Sequence, residues 1–180
     1  MRSLLLALVL LSGCVTVNAA GLGTDFTGQM PPYLTPQGDS RVADGILHST
    51  SQAGWNRSGI EIGPLPVADG AWTIEYDFRP LKLGSQTSEF VSTSPSTHWY
   101  MCYVSANGRL NLHTKGPDGW KARSSSTAGA EVGKWYHATV TLTRKSLRFV
   151  FRERGATQPL WDSGEVAMDD TGKETTCALV

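Results

Sequence analysis

The sequence predicts an all-β domain of antiparallel strands with almost no helix, built as a sandwich or a barrel. Three observations lead there. Apolar side chains alternate with polar ones in several short stretches, the period of a strand with one buried face. Turn residues punctuate those stretches at the short intervals of an antiparallel β domain. No window of twelve residues places its apolar side chains at the helical period.

The chain of 180 residues begins with a segment of another kind: Arg2, then an unbroken apolar run from Leu4 to Leu11. A positive start before a short apolar stretch is the pattern of a signal peptide. The run is far below the ~20 residues that span a bilayer as a helix, and no later segment approaches that length. It ends in Leu11-Ser12-Gly13-Cys14, which resembles the bacterial lipobox. That resemblance implies a signal over 1–14, a diacylglycerol on the thiol of Cys14, and Cys14 as the first residue of the mature chain. The other reading is cleavage after Val17-Asn18-Ala19, an Ala-x-Ala-like site that discards Cys14. Two or three acyl chains anchor a protein stably where one does not. Val15, not Asp, follows the cysteine, which by resemblance to Gram-negative sorting favours the outer membrane. The expectation is an exported protein, lipid-anchored to the bacterial cell envelope, that meets the membrane only through its N-terminal lipid.

About 165 residues remain after the signal, the size of one domain with a full core. Sixteen basic and sixteen acidic residues give a formal charge of zero. A nucleic-acid partner, which calls for a basic stripe, is therefore not expected.

Residues 15–41 are rich in Gly, Pro, Thr and Gln, and Pro31-Pro32 and Pro36 interrupt regular structure. They read as a tether, with Phe26 and Tyr33 able to dock on the core, and the domain follows over 42–180. Its clearest strand is 71–79, where Trp72, Ile74, Tyr76 and Phe78 share one face and Thr73, Glu75, Asp77 and Arg79 the other. Pro80 stops it, having no N–H for a ladder. The aromatic stretch 98–104 follows, then Asn107-Gly108 as a tight hairpin turn and a strand over 109–113. Gly116-Pro117-Asp118-Gly119 is a second turn, with Trp120 directly after it. A pair of half-buried strands over 135–143 and 147–152 completes the clear pattern, joined at the polar tip Arg144-Lys145-Ser146.

Once Cys14 is assigned to lipid, Cys102 and Cys177 remain, an even count in an oxidising compartment. They are either a disulfide or two buried thiols on separate strands. Neither has a second cysteine or a histidine at ligand spacing, so no metal centre is expected of them.

The order of these pieces resembles the concanavalin A-like superfamily, especially its laminin G-like bacterial members. The residues that carry it are Tyr76-Asp77-Phe78-Arg79-Pro80, Asn107-Gly108-Arg109-Leu110, Gly133-Lys134-Trp135-Tyr136-His137 and Leu160-Trp161-Asp162-Ser163-Gly164. The resemblance covers 46–180 and implies an antiparallel two-sheet jelly-roll sandwich. It also implies a further strand after 175–180. Losing it would bare a sheet edge, so either the N-terminal segment fills that place or the sequence is a fragment.

Laminarinase-type glucanases of this superfamily carry Glu-x-Asp-x-Glu or Glu-x-Asp-x-x-Glu on one strand. Two carboxyl groups about 5 to 5.5 Å apart suit a retaining mechanism. Glu75 and Asp77 match, but Arg79 or Pro80 stands where the second glutamate belongs, and neither can protonate a glycosidic oxygen. The three residues read as a solvated strand face. His48, His98, His113 and His137 are scattered over different strands and read as strand and surface residues. Calcium occurs among relatives of the fold. Asp169-Asp170 and Asp118 are the best oxygen donors on turns, but neither forms a dense acidic loop.

The six tryptophans give the better lead. Sugars lay their C–H faces on aromatic rings while polar side chains take the hydroxyls. Trp120 and Trp99, with their neighbours Asp118 and His98, are the candidate ligand-binding residues. Trp72, Trp135 and Trp161 fall in strand patterns and are expected in the core, and Trp55 under its neighbouring turn. The sequon Asn56-Arg57-Ser58 has no expected consequence in a bacterial lipoprotein.

The reading reached is a non-catalytic envelope lipoprotein whose sandwich binds a carbohydrate or another envelope component. One alternative is a glycoside hydrolase of the same fold drawing its acids from residues such as Glu89, Asp118 or Glu131. Another is a structural or protein-partner domain with no small ligand.

Overall fold

In the computed structural model the described residues are 30, 32, 34–49, 58–66, 71–84, 87–93, 99–167 and 174–179. Cys14, Phe26, Tyr33, Trp55, the first two sequon residues, His98, Asp169 and Asp170 lie outside them, as does the side chain of Glu89. All regular structure among the described residues is strand: β1 (Leu34–Gln37), β2 (Arg41–Ala43), β3 (Ile46–His48), β4 (Gly59–Pro66), β5 (Trp72–Phe78), β6 (Thr87–Thr93), β7 (Trp99–Val104), β8 (Arg109–Gly116), β9 (Gly119–Gly129), β10 (Tyr136–Leu142), β11 (Ser146–Glu153), β12 (Trp161–Asp162), β13 (Val166–Ala167) and β14 (Glu174–Leu179).

A seven-stranded sheet runs β1-β4-β14-β6-β7-β8-β9. A smaller sheet runs β12-β11-β10-β5, with β13 also paired to β11, and β2 and β3 form a separate hairpin. Every described pairing is antiparallel. The expected all-β sandwich is the observed fold.

Alternation builds its interior. Ile74, Tyr76 and Phe78 on β5, Ala138, Val140 and Leu142 on β10, and Leu147, Phe149 and Phe151 on β11 are buried from the smaller sheet. Ile60 and Ile62, Tyr100, Cys102 and Val104, Leu110 and Leu112, and Leu179 join the same cluster from the larger one. At its centre the rings of Phe78, Tyr136 and Phe151 lie 4.8 to 5.8 Å apart. The hydroxyl of Tyr136 accepts the Glu131 N–H at 2.7 Å, so the ring is buried without orphaning its oxygen.

Three expectations change. The ordered domain reaches into the segment read as tether, because β1 pairs with β4 in register. Pro36 is tolerated there since β1 is an edge strand. The strand 174–179 is no sheet edge, for it lies between β4 and β6. The turn at 107–108 carries positive φ at Gly108 (+82°) but not at Asn107. Gly108 N–H donates to the Ser105 carbonyl at 2.8 Å, and Ser105 N–H to the Arg109 carbonyl at 2.9 Å. This is a three-residue hairpin loop closed by a glycine bulge, not a two-residue turn with both centres left-handed.

The alternative left open for the cysteines is decided. Cys102 and Cys177 are buried thiols, not a disulfide. They sit on β7 and β14 with β6 between, and strands two apart are separated by about 10 Å, beyond the ~7 Å that a disulfide reaches.

Candidate functional site

At one corner of the large sheet, β7, β8 and β9 bring three side chains into a row: Trp99 pairs with Lys115, and Lys115 with Trp120. Neighbours across a ladder point to the same face, so both candidate tryptophans flank one lysine. The Lys115 ammonium lies 5.8 Å from the Trp99 ring and 5.7 Å from the Trp120 ring, within cation–π range of each. Trp120 is 38 % exposed, and Trp99 is half-buried.

Lys115 also borders a cleft of 370 Å³ at the end of the sandwich, with Tyr100, Thr114, Asp118, Lys121 and Arg123 around it and Ala167 contributed by the smaller sheet. Tyr100 and Thr114 are buried on its floor. Arg123 Nε donates to the Thr114 hydroxyl at 2.8 Å, and Lys121 donates to Asp118 at 3.0 Å. The structure thus places Trp99, Trp120 and Asp118 in one neighbourhood. Lys115, Lys121 and Arg123 were missed from sequence. Lys115 and Trp120 flank the 116–119 turn symmetrically, a signal that was available, whereas Trp99 joins them only through the β7–β8 register.

The other candidates resolve differently. Trp72 and Trp161 are buried as expected. Trp135 is not in the core: it is half-buried just before β10, with the guanidinium of Arg79 at 5.6 Å from its ring and that of Arg154 at 5.4 Å. Glu131 is paired with Lys134 at 2.8 Å. No cluster of three metal-ligating side chains occurs among the described residues.

Glu75, Asp77 and His137 lie on the outer face of the smaller sheet but are less solvated than expected. His137 lies opposite Asp77 across β10 and β5, and the outer face there is a half-buried charge cluster. The side chains of Glu75, Asp77 and His137 are 24 %, 15 % and 19 % exposed. His137 Nδ1 is 2.7 Å from Asp77, and Arg154 Nε is 3.0 Å from the same carboxylate. Its Nε2 stands 3.7 Å from Glu75, an ion-pair contact too long for a hydrogen bond. The hydrogen bond to Asp77, supported by Glu75, raises the His137 pKa to about 9 against the opposing effects of burial and of Arg152. His137 in turn lowers the pKa of Glu75, with help from Thr139 and Arg152. Glu75 is therefore held ionised, the state of a base or nucleophile and not of a general acid. Arg79, where a catalytic acid would stand, packs on Trp135.

A pH dependence follows. Because folding raises the His137 pKa, protonation stabilises the folded state. That contribution is complete below pH ~6.5 and is lost as pH rises through about 9. Discounted for partial contact with water, it is on the order of 1–2 kcal/mol. Urea unfolding between pH 6 and 9.5 should show the decline in the wild type and lose it in His137→Gln; parallel pH profiles would count against it.

Comparison with known proteins follows the same fold. The CBM2 module of the evolved Dit of Lactobacillus casei BL23 phage J-1 superposes with a TM-score of 0.54 at 13 % identity, over 86 % of this chain and 84 % of that one. The carbohydrate-binding module CBM66 from Bacillus subtilis gives 0.47 at 13 % identity, over 82 % and 89 %. The LG1-3 region of the laminin alpha2 chain gives 0.41 at 15 % identity, over 63 % of this chain and 22 % of that one. At 13 % identity the likeness to the phage module speaks of the fold alone. A search of curated protein sequences gives no significant match. A laminin G-type family model described as the concanavalin A-like lectin/glucanases superfamily matches residues 55–151, more than half of the sequence. By that match the chain belongs to the concanavalin A-like lectin/glucanases superfamily, as a laminin G-like member.

Proposed function

We propose that the protein is a non-catalytic lipoprotein of the bacterial cell envelope whose sandwich binds a carbohydrate, or another envelope component, at the corner formed by β7, β8 and β9. One observation carries the reading: two indoles stand in a single row on the outer face of the large sheet, one of them exposed, at the same end of the sandwich as a cleft with polar walls that opens on the inner face. A flat, exposed aromatic surface is the chemistry on which a sugar ring lays its C–H face. Membership of a superfamily described by lectins and glucanases supports a sugar as the ligand. Cys14 supplies the anchor in this reading. Partition of the chain into detergent, lost in Cys14→Ser, tests it.

A glycan array probed with the protein and with Trp120→Ala tests the binding site, with reducing-sugar release measured on every hit. The expected result is binding weakened about tenfold by the loss of one stacking face, with no sugar released. Released sugar would make the protein a hydrolase. An empty array would favour a structural or protein partner.

A further inference from the structure

Resting on the proposed anchor at Cys14 and independent of the glycan, we infer that the domain also docks on an anionic bilayer surface, through the loop end of the sandwich opposite the tryptophan row. Four connections meet there: 79–84 after β5, 105–108 between β7 and β8, 130–135 between β9 and β10, and 154–160 after β11. Three backbone bonds tie them together. Gly133 N–H donates to the Pro80 carbonyl at 2.9 Å, Ala130 N–H to that of Gly108 at 2.7 Å, and Arg154 N–H to that of Trp135 at 3.0 Å. Trp120 stands at the start of β9, whereas this end lies beyond its finish at Gly129.

Leu81 and Val132 stand on this end 61 % and 55 % exposed, the most exposed large apolar residues among those described. The same four connections, with the strand residues Arg109 and Glu153 beside them, carry five cations, Arg79, Lys82, Arg109, Lys134 and Arg154, against two carboxylates, Glu131 and Glu153, in a chain whose formal charge is zero. Lys134 contacts both carboxylates, at 2.8 and 3.8 Å, and Arg154 is held by Asp77, so the surplus rests on Arg79, Lys82 and Arg109. Exposed aliphatic side chains among cations suit the headgroup layer of an anionic bilayer, where the apolar groups bury shallowly and the cations meet phosphates. Two such side chains fall far short of the ~800 Å² that each partner of a stable protein complex buries. They suffice at a membrane because the anchor already holds the domain there, which makes docking an intramolecular step.

The test uses the full chain reconstituted in vesicles, with an environment-sensitive thiol fluorophore on Leu81→Cys or, as the control at the other end, on Lys121→Cys. Cys102 and Cys177 are buried, and the wild type treated with the same reagent sets the background. On vesicles of phosphatidylethanolamine and phosphatidylglycerol the label at Leu81→Cys is expected to shift to shorter wavelength and to be shielded severalfold from a water-soluble quencher, while the label at Lys121→Cys stays in water. Lys82→Glu/Arg109→Glu should remove the shift without moving the urea midpoint, since both side chains are exposed, and vesicles of phosphatidylcholine alone or high NaCl should weaken it. A label at Leu81→Cys that stays in water on a chain that floats with the vesicles would overturn the inference and leave the anchor standing. Equal shifts at both positions would overturn it in favour of unspecific adsorption, and a shift that grows with protein concentration without vesicles in favour of pairing between two copies. A chain that does not float with the vesicles would overturn the anchor and the inference together.

Discussion

Phe151→Ala is expected to lower the free energy of unfolding by about 3–5 kcal/mol, enough to bring a domain of this size close to unfolding. Phe151 is fully buried on β11, stacked on Tyr136 at 4.8 Å and tilted against Phe78 at 5.6 Å. Across the ladders it faces Ala138 on one side and Trp161 on the other. Truncation removes the ring on which Tyr136 and Phe78 both pack, and the paired strands on both sides limit how far the gap can close. Phe151→Leu keeps most of the apolar volume and should lose markedly less. Urea unfolding of the two variants measures the difference; a loss below about 1 kcal/mol for the alanine variant would contradict a single close-packed core.

Gly108→Ala is the second large effect, about 2–4 kcal/mol, from two costs at one atom. The residue has a φ of +82°, and a Cβ there would stand 2.4 Å from the carbonyl oxygen of Ala130. That oxygen belongs to the backbone and cannot rotate away. Moving it disturbs the bond from Ala130 N–H to the Gly108 carbonyl, 2.7 Å long. Gly119→Ala isolates the first cost, since φ there is +91° and a Cβ meets nothing within 4 Å. It should lose about 1–2 kcal/mol. Equal losses in the two variants, read from the same unfolding curves, would show that the contact with Ala130 is not a constraint.

The contrast between what the sequence revealed and what it hid follows the range of the interactions. β5, β10 and β11 were legible because alternation is local and their buried face is apolar throughout. β1 was hidden by Pro36, which reads as a breaker unless the strand is known to lie at an edge. Trp135 was misread although its parity was visible: if Tyr136 points inward, Trp135 points out with His137. The charge cluster around His137 was invisible for a different reason. It depends on β10 pairing with β5, some sixty residues earlier in the chain. The tryptophan row falls between these cases, with Lys115 and Trp120 joined by a local turn and Trp99 added only by long-range register.

The order of the large sheet has a bearing on how the protein would stand on a membrane. The chain enters the domain at β1, on one edge, while Trp120 is on β9, the opposite edge. Six interstrand spacings separate them, roughly 30 Å. Under the proposed anchoring at Cys14, the domain would be attached on the β1 flank and would carry its indoles on the other. That proposal then predicts indoles turned toward material beyond the bilayer, with the anchor clear of the approach of a large polymer.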